Sequence, residues 1–138
     1  MIILGNGNQT LTRRVEHCLK EESPGQFLVQ TLKPEVDAYF VLKPKHSGFF
    51  STTLDTVLRY LEAHTLILTG IAADRCVLFT ANDAFLRDYR VLVPSDCVVA
   101  NSRKEQDSAL ALIERVLRAD VRPSKRLNLG KLKSQKTE

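Results

Sequence analysis

Short apolar runs alternate along this chain with segments in which apolar residues recur every three or four positions. Short apolar runs between turn residues are typical of strands. The predicted strands are Ile2–Leu4, Ala38–Leu42, Thr65–Thr69 and Arg90–Val93, with Phe27–Val29 as a weaker fifth. The runs at 39–42 and 66–68 lack polar alternation, which indicates strands that are buried on both faces.

The three helical segments each have a recognisable N-terminal signal. Thr52 and Asp55 resemble a capping box, as do Ser102 and Glu105, and Asp74 can cap the helix between them. The predicted inward residues are Leu54, Val57, Leu58 and Leu61 in the first helix, Val77, Ala81, Ala84 and Phe85 in the second, and Ala109, Leu112, Ile113, Val116 and Leu117 in the third. Strands and helices alternate at the spacing of βαβ crossovers. The predicted fold class is therefore α/β, a Rossmann-like three-layer αβα arrangement with a parallel sheet.

Length and composition fit one globular domain, since the chain has 138 residues, of which 43% are hydrophobic and 26% are charged. We place the packed domain at residues 1–123 and a basic tail at residues 124–138. Residues 122–138 carry six basic side chains and one acidic one, whereas the rest of the chain carries 14 and 15. The basic charge thus belongs to the end of the chain, which argues against nucleic acid or a membrane as a partner.

No apolar run reaches the roughly 18 to 20 residues that a membrane-spanning helix needs, and no signal-peptide core follows the first residues. The chain has three cysteines, an odd and sparse set that fits reduced thiols. We therefore expect a cytoplasmic protein.

Reactive side chains follow the ends of predicted strands, where ligands bind in open parallel sheets. Cys76 falls in the first turn of the second helix, whose free N–H groups and dipole stabilise a thiolate. Lys43 directly follows a strand, and a lysine near the thiol would stabilise the thiolate further. Two ordinary alternatives stay open from position alone, Cys76 as a small buried thiol and Lys43 as a solvated loop lysine. Lys45, two residues further on, is the natural control.

Two longer segments carry a family resemblance. Residues 43–55 have the sequence KPKHSGFFSTTLD, and residues 68–84 have the sequence LTGIAADRCVLFTANDA. Both resemble the isochorismatase-like cysteine hydrolases, a family that includes nicotinamidases and related small-amide hydrolases. The similarity covers most of residues 16–123, and the two motifs occur in the family's order.

The resemblance implies an Asp-Lys-Cys triad in an αβα fold, with Cys76 as the nucleophile and Lys43 as the lysine. It also implies a cis peptide between Ile71 and Ala72. The backbone amides of Ala72 and Cys76 would then form the oxyanion hole. This agrees with the general chemistry of a thiolate that attacks a carbonyl carbon near a helix N-terminus.

The family's triad aspartate has no counterpart in this sequence, so we expect the chain to begin at the family's second strand. Asp37 should lie at the wrong edge of the sheet, Asp74 is the predicted helix cap, and Asp96 matches a position that we interpret as structural. Deprotonation of Cys76 would then depend on Lys43 and the helix dipole, and the leaving amine would lack a proton donor.

His17 and Cys18 resemble the pair near which nicotinamidases place one metal ligand, but the companion Asp-x-His motif is absent. A zinc site needs about three or four protein ligands, so we expect no metal and no other cofactor. His17, His46 and His64 are interpreted as ordinary helix and loop residues.

The resulting hypothesis is an N-terminally truncated isochorismatase-like hydrolase that acts on a small amide or related bond through Cys76. Phe49 and Phe50 are predicted to wall the substrate pocket, with plain core as the alternative for either. We expect a small-molecule substrate and a homo-oligomer. The rival hypothesis is a catalytically impaired pseudoenzyme or scaffold, which the missing aspartate favours. A nucleotide-binding Rossmann domain is disfavoured because no Gly-x-Gly-x-x-Gly motif follows a strand.

Overall fold

The computed structural model describes residues 2–5, 26–32, 37–128 and 130. The helices and strands, in chain order, are β1 Ile2–Gly5, α1 Gln26–Thr31, β2 Phe40–Lys43, α2 Leu54–Tyr60, β3 Thr65–Ile67, β4 Gly70–Ile71, α3 Leu78–Phe85, β5 Arg90–Leu92, β6 Val98–Val99 and α4 Arg103–Leu117. A π-helical turn, Ala73–Val77, leads from β4 into α3, and a 3₁₀ turn, Ser124–Arg126, follows α4.

The strand pairs in the described part of the chain are all parallel. β1 pairs with β2, β3 with β5, and β4 with β6. The Leu68 N–H donates to the Leu92 carbonyl at 2.8 Å, and Leu92 also forms a parallel bridge with Asp120 after α4. Parallel neighbours need a crossover connection, which α3 supplies between β3 and β5 and α4 supplies between β5 and Asp120. The predicted α/β class with parallel strands is confirmed.

The hydrophobic core forms where the strands and helices pack together. Its buried strand residues are Val41, Leu66, Leu68, Val91, Val93 and Val98, and its helical residues include Leu54, Leu58, Ala73, Val77, Ala81, Ala84, Ala109, Leu110, Ile113 and Leu117. Phe40 and Leu42 in β2 and Ile67 in β3 are exposed. The prediction that these two strands are buried on both faces is therefore wrong, because successive side chains point to opposite faces of a strand and only one face of β2 and of β3 is buried.

The segment Phe27–Val29, predicted as a weaker fifth strand, lies in α1 instead. That prediction is wrong because a short apolar run does not by itself distinguish a strand from a helix. The Phe27 side chain is 74% exposed, so it does not belong to the core. β2 begins at Phe40, two residues later than the run starting at Ala38 predicts.

Of the predicted helix caps, that of α4 is confirmed. The Ser102 Oγ accepts a hydrogen bond from the Glu105 N–H at 3.2 Å and donates one to the Glu105 carboxylate at 2.9 Å. In α2 the N-cap residue is Thr53, and its side chain makes no capping hydrogen bond. Asp74 lies inside the π-helical turn after the extended residue Ala72, so the prediction that it caps the helix is wrong.

The buried faces of the helices are rotated slightly from the predicted inward faces. The predicted inward residues that are exposed are Leu61, Phe85, Leu112 and Val116. On α4, Gln106 and Leu110 are buried beside the predicted Ala109, Ile113 and Leu117. The inward face of α4 is thus centred nearer to Leu110 than the periodicity alone indicates.

Ser124, the first residue of the predicted tail, contacts the body of the domain. Its N–H and its hydroxyl donate to the two carboxylate oxygens of Asp96 at 2.7 and 2.8 Å. These two hydrogen bonds, the backbone one first, hold the pKa of Asp96 below its usual value. Asp96 therefore has the structural role that was predicted for it.

Within the described ranges, no helix is long and apolar enough to cross a membrane. The domain limit at residue 123, the cytoplasmic location and the homo-oligomeric state stay predictions.

We predict that Ser102→Ala lowers the free energy of unfolding by about 1 kcal/mol, because the N–H of Glu105 loses its acceptor at the start of α4. Urea unfolding followed by circular dichroism measures this change. Thr53→Ala is the matched control, since Thr53 is an N-cap without a side-chain hydrogen bond. An equal loss of stability in both variants would contradict the capping role of Ser102.

Candidate active site

Cys76 lies in the π-helical turn between β4 and α3 and is half-buried. The bond between Ile71 and Ala72 is a cis peptide, as predicted. Gly70 has a φ of +111°, a conformation that favours glycine, where the strand bends toward the turn. The Ala72 carbonyl accepts hydrogen bonds from the N–H groups of Arg75 and Val77, each at 3.1 Å. The thiol is thus placed at the start of a helix that follows a strand, as the sequence predicts.

Lys43 is the last residue of β2, and its Nζ lies 3.4 Å from the Cys76 Sγ. The same ammonium group donates to the carbonyl of Lys45 at 3.0 Å. An ammonium group at this distance stabilises a thiolate electrostatically. From its position in the sequence alone, Lys43 could also have been a solvated loop lysine. The structure instead brings its side chain to the Cys76 sulfur.

His46, which the sequence analysis interpreted as an ordinary loop residue, is a third side chain at the thiol. Its Nδ1 lies 3.8 Å from the Cys76 Sγ, and its ring centroid lies 5.7 Å from that of Phe79 on α3. The available signal was its place three residues after Lys43, in the segment that carries the family resemblance. Two nitrogen-bearing side chains from one segment therefore converge on the sulfur of Cys76.

The segment that follows β2 is attached to α3 by hydrogen bonds. The Ser47 hydroxyl donates to the Asp83 carboxylate, and the Gly48 N–H donates to the Thr80 Oγ1 at 2.9 Å. The Thr80 hydroxyl in turn donates to the Cys76 carbonyl at 2.6 Å. Ser47 and Thr80 are both buried. These contacts fix the segment of Lys43 and His46 against the helix that begins at the thiol.

A cavity of about 340 Å³ opens beside the thiol. Its lining residues are Lys43, Ile67, Leu68, Thr69, Gly70, Ile71, Cys76, Val77 and Thr80. The cavity therefore lies at the carboxyl ends of β2, β3 and β4, where an open parallel sheet places its ligands.

Phe49 and Phe50, the predicted pocket walls, do not line this cavity. Phe49 is buried in the core, with the Tyr89 ring at 6.1 Å and the Arg87 guanidinium 4.7 Å from its ring centroid. Phe50 is 53% exposed. This placement favours the core alternative for Phe49, and a substrate contact by Phe50 stays a prediction.

Within the described residues, no carboxylate is hydrogen-bonded to the Cys76 thiol or to the Lys43 ammonium. Asp83 is bonded to Ser47, and Asp96 is bonded to Ser124, as described above. Asp74 has one buried carboxylate oxygen without a hydrogen-bond partner, and its other oxygen lies 3.5 Å from the Nε of Arg75. None of these acids therefore takes the place of the family's aspartate at the thiol.

The described part of the chain contains no group of three or more histidine, cysteine, aspartate or glutamate side chains that could hold a metal ion. His17 and Cys18, the residues that suggested a metal ligand, lie outside the described residues. The expectation of no metal stays a prediction.

Comparison with known proteins agrees with the geometry. The sequence profile of the isochorismatase domain matches residues 4–121. The uncharacterized isochorismatase family protein YaaI of Bacillus subtilis strain 168 is 42% identical over 106 residues, which cover 77% of this chain and 58% of YaaI. The ureidoacrylate amidohydrolase RutB of Serratia proteamaculans strain 568 is 36% identical over 113 residues, which cover 79% of this chain and 46% of RutB. The chain thus spans about half the length of these relatives.

A solved structure shows the same likeness in three dimensions. The nicotinamidase SaPncA from Staphylococcus aureus superposes with a TM-score of 0.64 at 31% sequence identity, over 72% of this chain and 63% of SaPncA. The isochorismatase-like α/β fold that the resemblance implies is confirmed.

We predict that limiting iodoacetamide at neutral pH labels Cys76 before Cys97. The Cys76 sulfur faces the Lys43 ammonium, whereas the Cys97 sulfur lies 3.6 Å from the carboxylate of Asp96, whose charge opposes a thiolate. Peptide mapping by mass spectrometry measures the order of labelling. Equal labelling of the two thiols would contradict the prediction.

Lys43→Met should slow the labelling of Cys76 about threefold or more, since the thiolate loses the ammonium group that stabilises it and less thiolate is present. The higher intrinsic nucleophilicity of the remaining thiolate offsets only part of this decrease. Lys45→Met is the matched control, because Lys45 contacts this group through its backbone carbonyl alone. Equal rates in the two variants would show that Lys43 does not support the thiolate.

Proposed function

This chain belongs to the isochorismatase family, and on that premise we propose that it is a cysteine hydrolase that cleaves a small amide or a related bond. The observation that carries the proposal is the 3.4 Å approach of the Lys43 Nζ to the Cys76 Sγ, at the wall of a cavity open to a ligand. Cys76 is the proposed nucleophile, and Lys43 is the cation that stabilises its thiolate.

The proposed reaction follows covalent catalysis by a thiolate. The Cys76 sulfur attacks the carbonyl carbon of the bound amide, and the oxygen gains negative charge. We assign the N–H groups of Ala72 and Cys76 to this oxyanion, because backbone donors at a helix start are preorganised for developing charge. The C–N bond then breaks, and the nitrogen leaves as ammonia or an amine with the proton that the thiol gave up. Water hydrolyses the remaining acyl thioester to the free acid and the thiol.

The proposed substrates are small amides, and the proposed reaction uses no metal or other cofactor. RutB is named as an amidohydrolase of ureidoacrylate and SaPncA as a nicotinamidase, so two relatives of this chain act on small molecules. The cavity of about 340 Å³ lies at the lower end of the range for small-molecule pockets, roughly 300 to 1,000 Å³. A ligand of the size of nicotinamide is compatible with this volume.

A second candidate is a catalytically impaired member of the family that binds a ligand or a partner without turnover. The observation that favours it is that, in the described part of the chain, no carboxylate touches Cys76 or Lys43. Loss of a general acid or base typically costs 10²- to 10⁴-fold in rate, on the order of 3 to 5 kcal/mol of barrier. This candidate predicts that a ligand binds in the cavity without Cys76-dependent turnover.

The test is hydrolysis of a panel of small amides, nicotinamide and ureidoacrylate included, by the chain and by its Cys76→Ala variant. We expect turnover of at least one amide that Cys76→Ala abolishes, since the nucleophile is lost. Release of ammonia measures the rate. Cys97→Ala is the matched control, because Cys97 contacts Asp96 and not the cavity.

Turnover that persists in Cys76→Ala would contradict the nucleophile assignment. Binding of an amide without Cys76-dependent turnover, measured by calorimetry, would instead favour the impaired member of the family.

A further inference from the structure

We infer that Arg87, two residues after the end of α3, is a positioning residue for the thiol site. Its guanidinium fixes the segment after β2, and the backbone of that segment holds the Lys43 ammonium beside Cys76. The inference rests on the proposed function, because it concerns the reactivity of the same thiol. Arg87 does not line the cavity, so its effect on the thiol passes through other residues.

Four residues form a closed ring of contacts that we call the clasp: Ser47, Phe49, Asp83 and Arg87. The Phe49 N–H donates to the Ser47 Oγ at 3.1 Å, and the Ser47 hydroxyl donates to the Oδ2 of Asp83. The Arg87 Nη1 donates to the Oδ1 of Asp83 at 3.3 Å. The Arg87 guanidinium also lies over the Phe49 ring, 4.7 Å from its centroid, which closes the ring of contacts.

The guanidinium of Arg87 is itself held from several sides. Its Nη1 also donates to the backbone carbonyl of Asp83 at 2.8 Å, and its Nε lies 3.8 Å from the Asp55 carboxylate on α2. A planar guanidinium can bind carboxylates and stack on an aromatic ring at the same time. Isolated ion pairs at a surface contribute little, but two members of the clasp, Ser47 and Phe49, are buried. Arg87 therefore joins α2, the end of α3 and the segment after β2.

The clasp reaches the thiol through the backbone carbonyl of Lys45. This carbonyl accepts a hydrogen bond from the Lys43 Nζ at 3.0 Å, and the same Nζ lies 3.4 Å from the Cys76 Sγ. Lys45 is two residues before Ser47, so the clasp fixes the position of this carbonyl. A lysine side chain has many rotamers, and ordering it costs entropy. A fixed carbonyl therefore increases the fraction of time that the ammonium spends at the sulfur.

A second attachment limits what the loss of Arg87 can do. The Gly48 N–H donates to the Thr80 Oγ1, which lies on the same helix and does not depend on the clasp. The segment after β2 therefore stays attached to α3 when the guanidinium is removed. We expect a looser segment and a partial loss of thiolate stabilisation, smaller than the loss in Lys43→Met.

The test uses three variants of the clasp and one matched control. Arg87→Met removes the guanidinium, and Arg87→Lys keeps the positive charge without the planar group. Asp83→Asn keeps an oxygen that can accept from Ser47 but loses the charge that Arg87 binds. Arg103→Met is the control, because Arg103 forms a similar pair with Asp107 on α4, at 3.0 Å and outside the cavity lining. Far-UV circular dichroism verifies that each variant folds.

The first measurement is the rate of Cys76 alkylation by iodoacetamide at neutral pH, which needs no amide substrate. We expect Arg87→Met to slow alkylation about twofold or more, since residues within one hydrogen-bond network are coupled by at least this much. Asp83→Asn should change the rate in the same direction, and Arg87→Lys should recover part of the loss. Arg103→Met should react at the wild-type rate.

A double variant separates positioning of Lys43 from a general loss of structure. If Arg87 acts through the Lys43 ammonium, its removal has no further effect once that ammonium is gone. We therefore expect the double variant of Lys43→Met and Arg87→Met to be alkylated at the rate of Lys43→Met alone. Should Arg87→Met fail to fold, Asp83→Asn replaces it in both measurements and in the double variant.

The second measurement is kcat and KM for the amide that is hydrolysed fastest. We expect kcat to fall about tenfold in Arg87→Met, because a small displacement of a reacting or supporting group is costly in rate. KM should change less than kcat, since none of Ser47, Phe49, Asp83 and Arg87 lines the cavity. Arg103→Met should keep both parameters at the wild-type values.

Wild-type alkylation rates in Arg87→Met, or a further slowing in the double variant equal to that of Arg87→Met alone, would overturn the positioning role and leave the proposed function intact. Slower alkylation that depends on Lys43, in a protein that hydrolyses no amide, would support the positioning role and contradict the proposed function. The failures of the two proposals are therefore distinguishable.

Discussion

The geometry of the site depends on the hydrogen bonds that attach the segment after β2 to the first two turns of α3. Ser47 bonds to Asp83 and Gly48 bonds to Thr80, and the Thr80 hydroxyl also binds the Cys76 carbonyl. One helix thus carries the thiol at its start and the anchors of the opposing segment one and two turns later. Because Ser47 and Thr80 are buried, loss of either partner would leave unsatisfied polar atoms in the core, which typically costs about 1 to 3 kcal/mol.

The carboxyl ends of two strands, β2 and β4, bring the reactive groups together. β2 ends at Lys43, and β4 ends at Ile71, just before the turn of Cys76. The hydrophobic core holds these ends in place, with Ala73 and Val77 of the nucleophile turn buried in the same cluster as Val41. The packing that stabilises the fold is therefore the packing that positions the thiol.

The strand ends and the helix start predicted where Cys76 and Lys43 lie in the fold, because both features follow from local sequence. Position alone left ordinary alternatives open for both residues, and the family resemblance implied their roles. The contact of His46 with the sulfur was not predictable in this way, since it depends on the path of the loop and on long-range hydrogen bonds to α3. The same limit explains Phe27, whose short apolar run fits a helix as well as a strand. The face of α4 could be predicted only to within part of a turn, because packing against the π-helical turn and α3 sets its rotation.

The most direct test of this account is to trap the acyl thioester during hydrolysis of a small amide. Acid quenching followed by intact-mass and peptide mass spectrometry should find a mass increase equal to the acyl group, located on the peptide that contains Cys76 and removed by hydroxylamine. The adduct should be absent in Cys76→Ala. Steady amide turnover by Cys76→Ala, or an adduct on another residue, would contradict the assignment of Cys76 as the nucleophile.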